Sequence, residues 1–194
     1  MTTSEIFKDW LGTFWRILVS PTPKTFLEEA EKAENKFTSA IGWAIFIAFY
    51  SYLPPLLKGF TFNFTTLIYM LLILPLLIVL APSATHFVLQ RVFHQKQYLY
   101  DKVLYIYTAI LILFQLIITP ITFFTPPDVA RILNYFFIIY QFALLVIAIK
   151  AIARIKYWQA IMTILTAVVA GAAIFICALP AITSIMGGVS RTVR

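Results

Sequence analysis

The stretch "VLYIYTAILILFQLIITPITFF", residues 103–124, holds no Asp, Glu, Lys or Arg, and its reading decides the fold. Coiled as a helix, a charge-free apolar run of ~17 to 25 residues matches the ~30 Å hydrocarbon layer of a bilayer. Four more such runs occur, at 37–57, 64–87, 132–149 and 158–182. The whole chain agrees with this: 61% of residues are hydrophobic, 18 are Phe, 12% are charged, and the mean hydropathy is +0.90, whereas ordinary soluble domains carry about 25% charged residues. In lipid, every backbone N–H and C=O must be bonded within the protein, so a span is a helix or a strand of a closed barrel. Runs such as "LLILPLLIVL", residues 71–80, do not alternate as barrel strands do.

These features predict an all-α fold, a polytopic membrane bundle of five transmembrane helices over residues 37–182. Short connections make sequential helices antiparallel neighbours. Residues 1–36 are expected to form cytoplasmic and interfacial helices and residues 183–194 a short external tail, which leaves no room for a second, soluble domain.

A formal charge of +7 and a pI near 9.6 would suit nucleic acid, but the distribution argues otherwise. With the N-terminus in the cytoplasm, only Lys58, Arg131, Arg191 and Arg194 of the 15 Lys and Arg fall outside. That is the positive-inside bias. The basic excess serves orientation and attraction to anionic lipid, and no nucleic-acid partner is expected. The single Cys177, inside the last run, can form neither an intrachain disulfide nor a Cys-based metal site.

Before the first run the chain is amphipathic. Glu5, Lys8, Asp9 and Arg16 interrupt what would otherwise be a signal-peptide core. At helical spacing over 6–19, Ile6, Trp10, Phe14, Ile17 and Leu18 share one face. This predicts an interfacial helix with Trp10, Phe14 and Trp15 as its membrane anchor. Pro21 bends Ser20 out of helical angles, and Thr22 followed by Pro23 is an N-cap with proline at the first helical position. In the acidic helix that follows, over 25–35, Phe26, Ala30, Ala33 and Phe37 line one side. Glu28, Glu29, Glu31 and Glu34 are assigned to the other, with Glu28 placed to pair with Lys32. Two readings stand: a docking face for a basic cytoplasmic partner, or a solvated face whose acids sit near the positive end of the helix dipole.

The segment "WRILVSPTPKTF", residues 15–26, resembles the opening of the Yip domain family, the Ypt/Rab-interacting membrane proteins and their prokaryotic relatives, where an apolar-aromatic stretch runs into Ser-Pro before the first span. "IIYQFALLVIAIKAIARIKYWQAIMTIL", residues 138–165, is similar to that family's fourth helix, basic cytoplasmic turn and start of the fifth. "QKQYLYDKVLYIYTAI", residues 95–110, matches the position of its cytoplasmic loop and Tyr-bearing third span. The loop "FHQKQ" lacks the family's glycines, and the eukaryotic "DLxGP" motif and long soluble N-terminal region are absent. The resemblance therefore implies a prokaryotic-type member in the cytoplasmic membrane, N-terminus inside and C-terminus outside, without Rab binding.

Polar groups inside the runs are few. Gln115 and Gln141 fall near the middle of the third and fourth, and Asn134 shares the face of Gln141 seven residues away. Gln115, Asn134 and Gln141 form either interhelical hydrogen bonds, worth roughly ~0.6 kcal/mol each, or a polar track for a solute. His86, His94 and Asp101 lack a metal-ligand spacing. Thr125-Pro126-Pro127-Asp128 reads as a capping box making a tight outer hairpin. Small residues mark seams at Ala40, Ala44 and Ala48 and at Ala160, Ala167, Gly171 and Ala178. A phosphate loop, a nucleophile with its base and paired carboxylates are all missing, so neither an enzyme nor a cofactor or metal is expected.

The expected function is a non-catalytic membrane adaptor or organiser, its partners the lipid bilayer, a cytoplasmic or membrane protein and a second copy through a small-residue seam. Two alternatives compete with it: a transporter or channel component for a small solute, ion or lipid using the polar track, and membrane shaping by the interfacial helix.

Overall fold

A computed structural model of the chain describes residues 3–33, 37–57, 74–94 and 100–173. These residues form seven helices and no strand: α1 Thr3–Val19, α2 Pro23–Glu31, α3 Phe37–Leu57, α4 Leu74–Arg91, α5 Tyr100–Phe124, α6 Pro127–Ala153 and α7 Tyr157–Ala173. By length and composition α5 and α6 can cross a membrane, and α3 coincides with the first charge-free run. Residues 64–73 of the second run, 174–182 of the fifth, Glu34, Cys177, Ala178 and the tail 183–194 lie outside the described residues.

Local chemistry sets the helix ends. Thr22 is extended and its Oγ1 accepts the Thr25 N–H at 3.2 Å, while Pro23, which has no N–H to leave unbonded, opens α2. Between α5 and α6 only Thr125 and Pro126 intervene, which forces the antiparallel hairpin the sequence predicts. The capping box does not form. Pro126 takes the N-cap position without a side-chain cap, and the Thr125 hydroxyl donates backward to the Ile121 carbonyl at 2.8 Å. At the far end of α6, Arg154 adopts the left-handed conformation at φ 53°. The chain then reverses into α7, where the Lys156 N–H donates to Gln159 Oε1 at 2.9 Å.

α5 is the central post, against which α1, α2, α3, α4 and α6 all pack. Its Leu104, Ile106, Ala109, Ile110 and Leu113 share one core with Ala40 and Ile47 of α3 and with Leu144, Ala148 and Ile152 of α6. Antiparallel pairing of α5 with α6 shows in Phe114, whose ring meets Phe137 at 5.9 Å and Tyr140 at 5.7 Å. A second core joins α7 to the bundle: Ala160 and Ile164 meet Leu89, Val103, Val146 and Ile149. Of the small-residue seams, Ala40, Ala44, Ala48, Ala160 and Ala167 are buried, while Gly171 is half-buried beside Leu80. Close approach of helices through alanine is what permits these contacts.

α1 and α2 are built into this bundle rather than laid beside it. Trp10 is fully buried, its ring 4.7 Å from Tyr105 of α5 and 5.9 Å from Trp43 of α3, and its Nε1–H donates to Ser39 Oγ at 3.4 Å. Phe14 packs edge-on against Trp43 at 5.5 Å. This corrects the anchor read from the sequence. Trp10 and Phe14 are core residues, because protein and not lipid covers that stripe, and only Trp15 of the three stays exposed.

Candidate functional site

Two polar residues sit inside apolar stripes at matching positions. On α1 the stripe Trp10, Phe14 and Ile17 also contains Thr13, and on α2 the stripe Phe26 and Ala30, continued by Ala33 in the turn after it, also contains Glu29; both are fully buried. The spacing i, i+3, i+4, i+7 puts each polar residue on the packed face of its helix.

There they meet. Thr13 Oγ1 donates to Glu29 Oε2 at 2.6 Å. The same hydroxyl lies a longer 3.2 Å from the Asp9 carbonyl one turn back, and with its one proton on these acceptors Thr13 Oγ1 accepts from the Tyr105 hydroxyl at 2.8 Å. Lys32 Nζ donates to both carboxylate oxygens, at 2.8 and 3.0 Å, and Arg16 Nη1 donates to Oε1 at 3.1 Å. An ionised carboxylate offers about four acceptor positions, and these contacts fill them. The cations keep partial access to solvent, 54% for the Arg16 side chain and 35% for Lys32, while Glu29 has none. A buried carboxylate in this setting is compensated charge, not a free base. Its work is mechanical: one side chain ties α1, α2 and, through Thr13, α5.

The acidic docking face is smaller than the sequence reading made it. Glu29 leaves it, because its position is in phase with Phe26, Ala30 and Ala33, and burial of that stripe carries it inward. Glu28 and Glu31 remain exposed, and Glu34 lies outside the described residues. Lys32 pairs with Glu29, and Glu28 instead meets Lys24 at 3.8 Å, a loose surface pair.

The three amides of the polar track are dispersed. Gln115 of α5 faces α3, where its Oε1 accepts from Ser51 Oγ at 3.5 Å, and also accepts from Thr119 Oγ1 at 3.5 Å. Gln141 on α6 is half-buried, and Asn134 is exposed. No hydrogen bond joins any two of the three. Beside Gln115, the Tyr50 hydroxyl donates to the Leu116 carbonyl at 3.3 Å.

At the end of α4, His86 lies edge-on to Tyr100 with ring centres 5.5 Å apart, and Asp101 is exposed. Thr85 Oγ1 and the Tyr107 hydroxyl are 2.7 Å apart, and Ser83 Oγ and the Tyr100 hydroxyl 3.2 Å, which ties α4 to α5. Among the described residues no group of three His, Cys, Asp or Glu is placed to hold a metal ion.

Sequence reasoning missed Thr13 and Tyr105 as site residues and misplaced Glu29. The signal for two of them was present in the helical phase of α1 and α2. Tyr105 carried none, since one tyrosine in an aromatic-rich run does not announce a partner. The chain matches no family model, no curated protein and no solved structure.

Proposed function

We propose that the chain is a multi-pass membrane protein of five spans, of the prokaryotic Yip type, acting without catalysis as an adaptor or organiser with its N-terminal helices in the cytoplasm. The observation that carries the membrane part of this reading is the surface of α6. The core helix of a soluble protein is mostly buried, but only 33% of the residues in the apolar stretch of α6 are buried. Ile132, Tyr135, Phe136, Ile138 and Ile139 all lie on the outside. Water does not tolerate an apolar patch of this extent, whereas lipid covers it without penalty. The count of five spans and the orientation rest on the charge-free runs and the basic bias, and kinship with the Yip family rests on the quoted motifs alone.

The adaptor part rests on the N-terminal pair of helices. Tied to α5 through Glu29 and Thr13, α2 presents a fixed outer face carrying Glu28 and Glu31. A rigid acidic surface suits a basic partner, because less side-chain and segment entropy is lost on binding. Crosslinked affinity purification from native membranes tests it, comparing the intact chain with a Glu28→Lys, Glu31→Lys variant of equal membrane insertion. Loss of a partner in the variant supports the adaptor reading; identical recovery from both overturns it.

A further inference from the structure

Helix α1 divides its surface three ways. Trp10, Thr13, Phe14 and Ile17 face the protein interior. Glu5, Lys8, Gly12 and Arg16 form an exposed polar side. Between them runs a second apolar stripe, Phe7, Leu11, Trp15 and Leu18, 41 to 66% exposed. At ~100° per residue these four fall within ~80° of one another around the helix. They form a row, not a scatter of single surface hydrophobes.

Continuity identifies what covers the row. Phe7 stacks on Trp43 of α3 at 5.7 Å, Trp43 meets Phe46 edge-on at 5.4 Å, and Phe46 stacks on Tyr50 at 6.1 Å. Phe46 is exposed, as are Phe49 and Leu53 further along α3. The apolar surface therefore passes unbroken from the outer face of α3 onto α1. A single phospholipid leaflet would cover both parts at once, with acyl chains along α3 and the boundary of chains and headgroups at α1. Charge on α1 selects no other occupant, since its two cations, Lys8 and Arg16, and its two acids, Glu5 and Asp9, sum to zero and Arg16 is already paired with Glu29.

We propose that Phe7, Leu11, Trp15 and Leu18 are the lipid-contacting residues of α1, laid into the inner leaflet at headgroup depth, with the Lys8 and Gly12 side in water. This rests on the membrane reading above. Trp15 sits where an indole is favoured, at the headgroup level, and such helices lie with their apolar side ~5–10 Å into the boundary. The tie through Glu29 and Thr13 keeps α1 from rolling, so the stripe is presented at one fixed angle. Because the four charges of α1, Glu5, Lys8, Asp9 and Arg16, sum to zero, insertion depends on apolar area and not on anionic lipid.

The test uses the full chain in phosphatidylcholine nanodiscs, with Cys177→Ala and one nitroxide-labelled cysteine at a time: Leu11→Cys, Leu18→Cys, Lys8→Cys, Gly12→Cys and, as a control on α6, Ile139→Cys. Saturation spectroscopy reads accessibility to dissolved oxygen, which concentrates in lipid, and to a water-soluble nickel chelate. The proposal expects oxygen to dominate at 11 and 18, nickel at 8 and 12, and the same pattern after phosphatidylglycerol is added. Nickel dominance at 11 and 18, or shielding from both reagents, overturns it, as does a pattern that appears only with anionic lipid. Position 139 separates the two levels of failure. Oxygen dominance there with nickel at 11 and 18 sinks the α1 proposal alone, and nickel dominance at 139 sinks the membrane reading with it.

Discussion

Thr13 of α1 and Glu29 of α2 meet at 2.6 Å inside the protein, although their helices are joined only by the bend through Ser20, Pro21 and Thr22. The contact helps fix the angle between the two helices, because Thr13 is held in turn by Tyr105 of α5. Removing the carboxylate should therefore loosen the N-terminal helices and leave the bundle formed.

Glu29→Ala tests this against its surface neighbours. It takes away the acceptor for Thr13, Arg16 and Lys32 at once, and a lost buried partner costs about 1–3 kcal/mol. The two cations can regain water, so the larger penalty of a fully stranded charge does not apply. Glu28→Ala and Glu31→Ala should stay within about 0.5 kcal/mol of the parent. Thermal unfolding in detergent should show a drop of several degrees for Glu29→Ala alone. Equal melting of all three variants would deny the buried tie.

Coupling along Tyr105, Thr13 and Glu29 is measurable by a double-mutant cycle. Thr13→Val keeps the shape of the side chain and removes the contacts of its hydroxyl to Glu29, Tyr105 and the Asp9 carbonyl, while Tyr105→Phe removes the bond to Thr13 and leaves the ring. Since both variants break that shared bond, the double variant should cost less than the sum of the singles, by roughly 0.5–3 kcal/mol. Strict additivity would mean the hydroxyls are independently solvated.

The stripes of α1 and α2 show how far helical phase can be read. Apolar spacing located both helices, the Thr22 cap and the turn between them, and it put Trp10, Phe14, Phe26 and Ala30 on one side. What it left open was the identity of the covering surface, lipid or protein, because both select the same apolar residues. Glu29 was misassigned for a chemical reason: its charge suggested water, although its phase with Phe26 and Ala33 suggested the core. The neighbours Arg16, Lys32 and Thr13, two of them on another helix, make burial of that charge tolerable. The failed capping box at Thr125 has a similar origin, since two prolines shift the start of α6 and free the threonine to bond its own helix.

Gln115 offers a contrast between polar residues that tie and those that merely fit. Its contacts to Ser51 and Thr119 are long, at 3.5 Å each. Interhelical bonds of this kind in membrane proteins average about 0.6 kcal/mol. Gln115→Leu should therefore reduce stability by no more than about 1 kcal/mol, and Gln141→Leu should act independently of it. Non-additive loss in the Gln115→Leu, Gln141→Leu double variant would show that the two amides are coupled across α5 and α6.

The seam of α3 should be far less forgiving. Ala40, Ala44 and Ala48 recur every fourth residue and are all buried, at 1 to 2% exposure. A leucine at the buried Ala44 would add three carbons between packed helices, and overpacking of this kind costs about 1–3 kcal/mol or forces the helices apart. Ala44→Leu should lower the melting temperature and broaden size-exclusion profiles, whereas Ala44→Gly should do so only mildly, through backbone entropy. A fully tolerated leucine would place that face against lipid.

The turn from α6 to α7 carries the final prediction. Arg154 holds φ 53° and ψ 39° at the end of α6, a left-handed conformation that costs an ordinary L-residue roughly 1–2 kcal/mol and glycine almost nothing. Glycine at this position also loses more backbone freedom on folding, which offsets part of the gain. The net expectation for Arg154→Gly is a stabilisation of about 0.5–1 kcal/mol, read as a small rise in melting temperature. Arg154→Val should move the other way, because a β-branched side chain fits that region worst. Both effects depend on backbone geometry and not on charge, so Arg154→Lys should match the parent. If Lys and Gly variants instead lose stability together, the guanidinium itself holds the turn and the backbone account of this position fails.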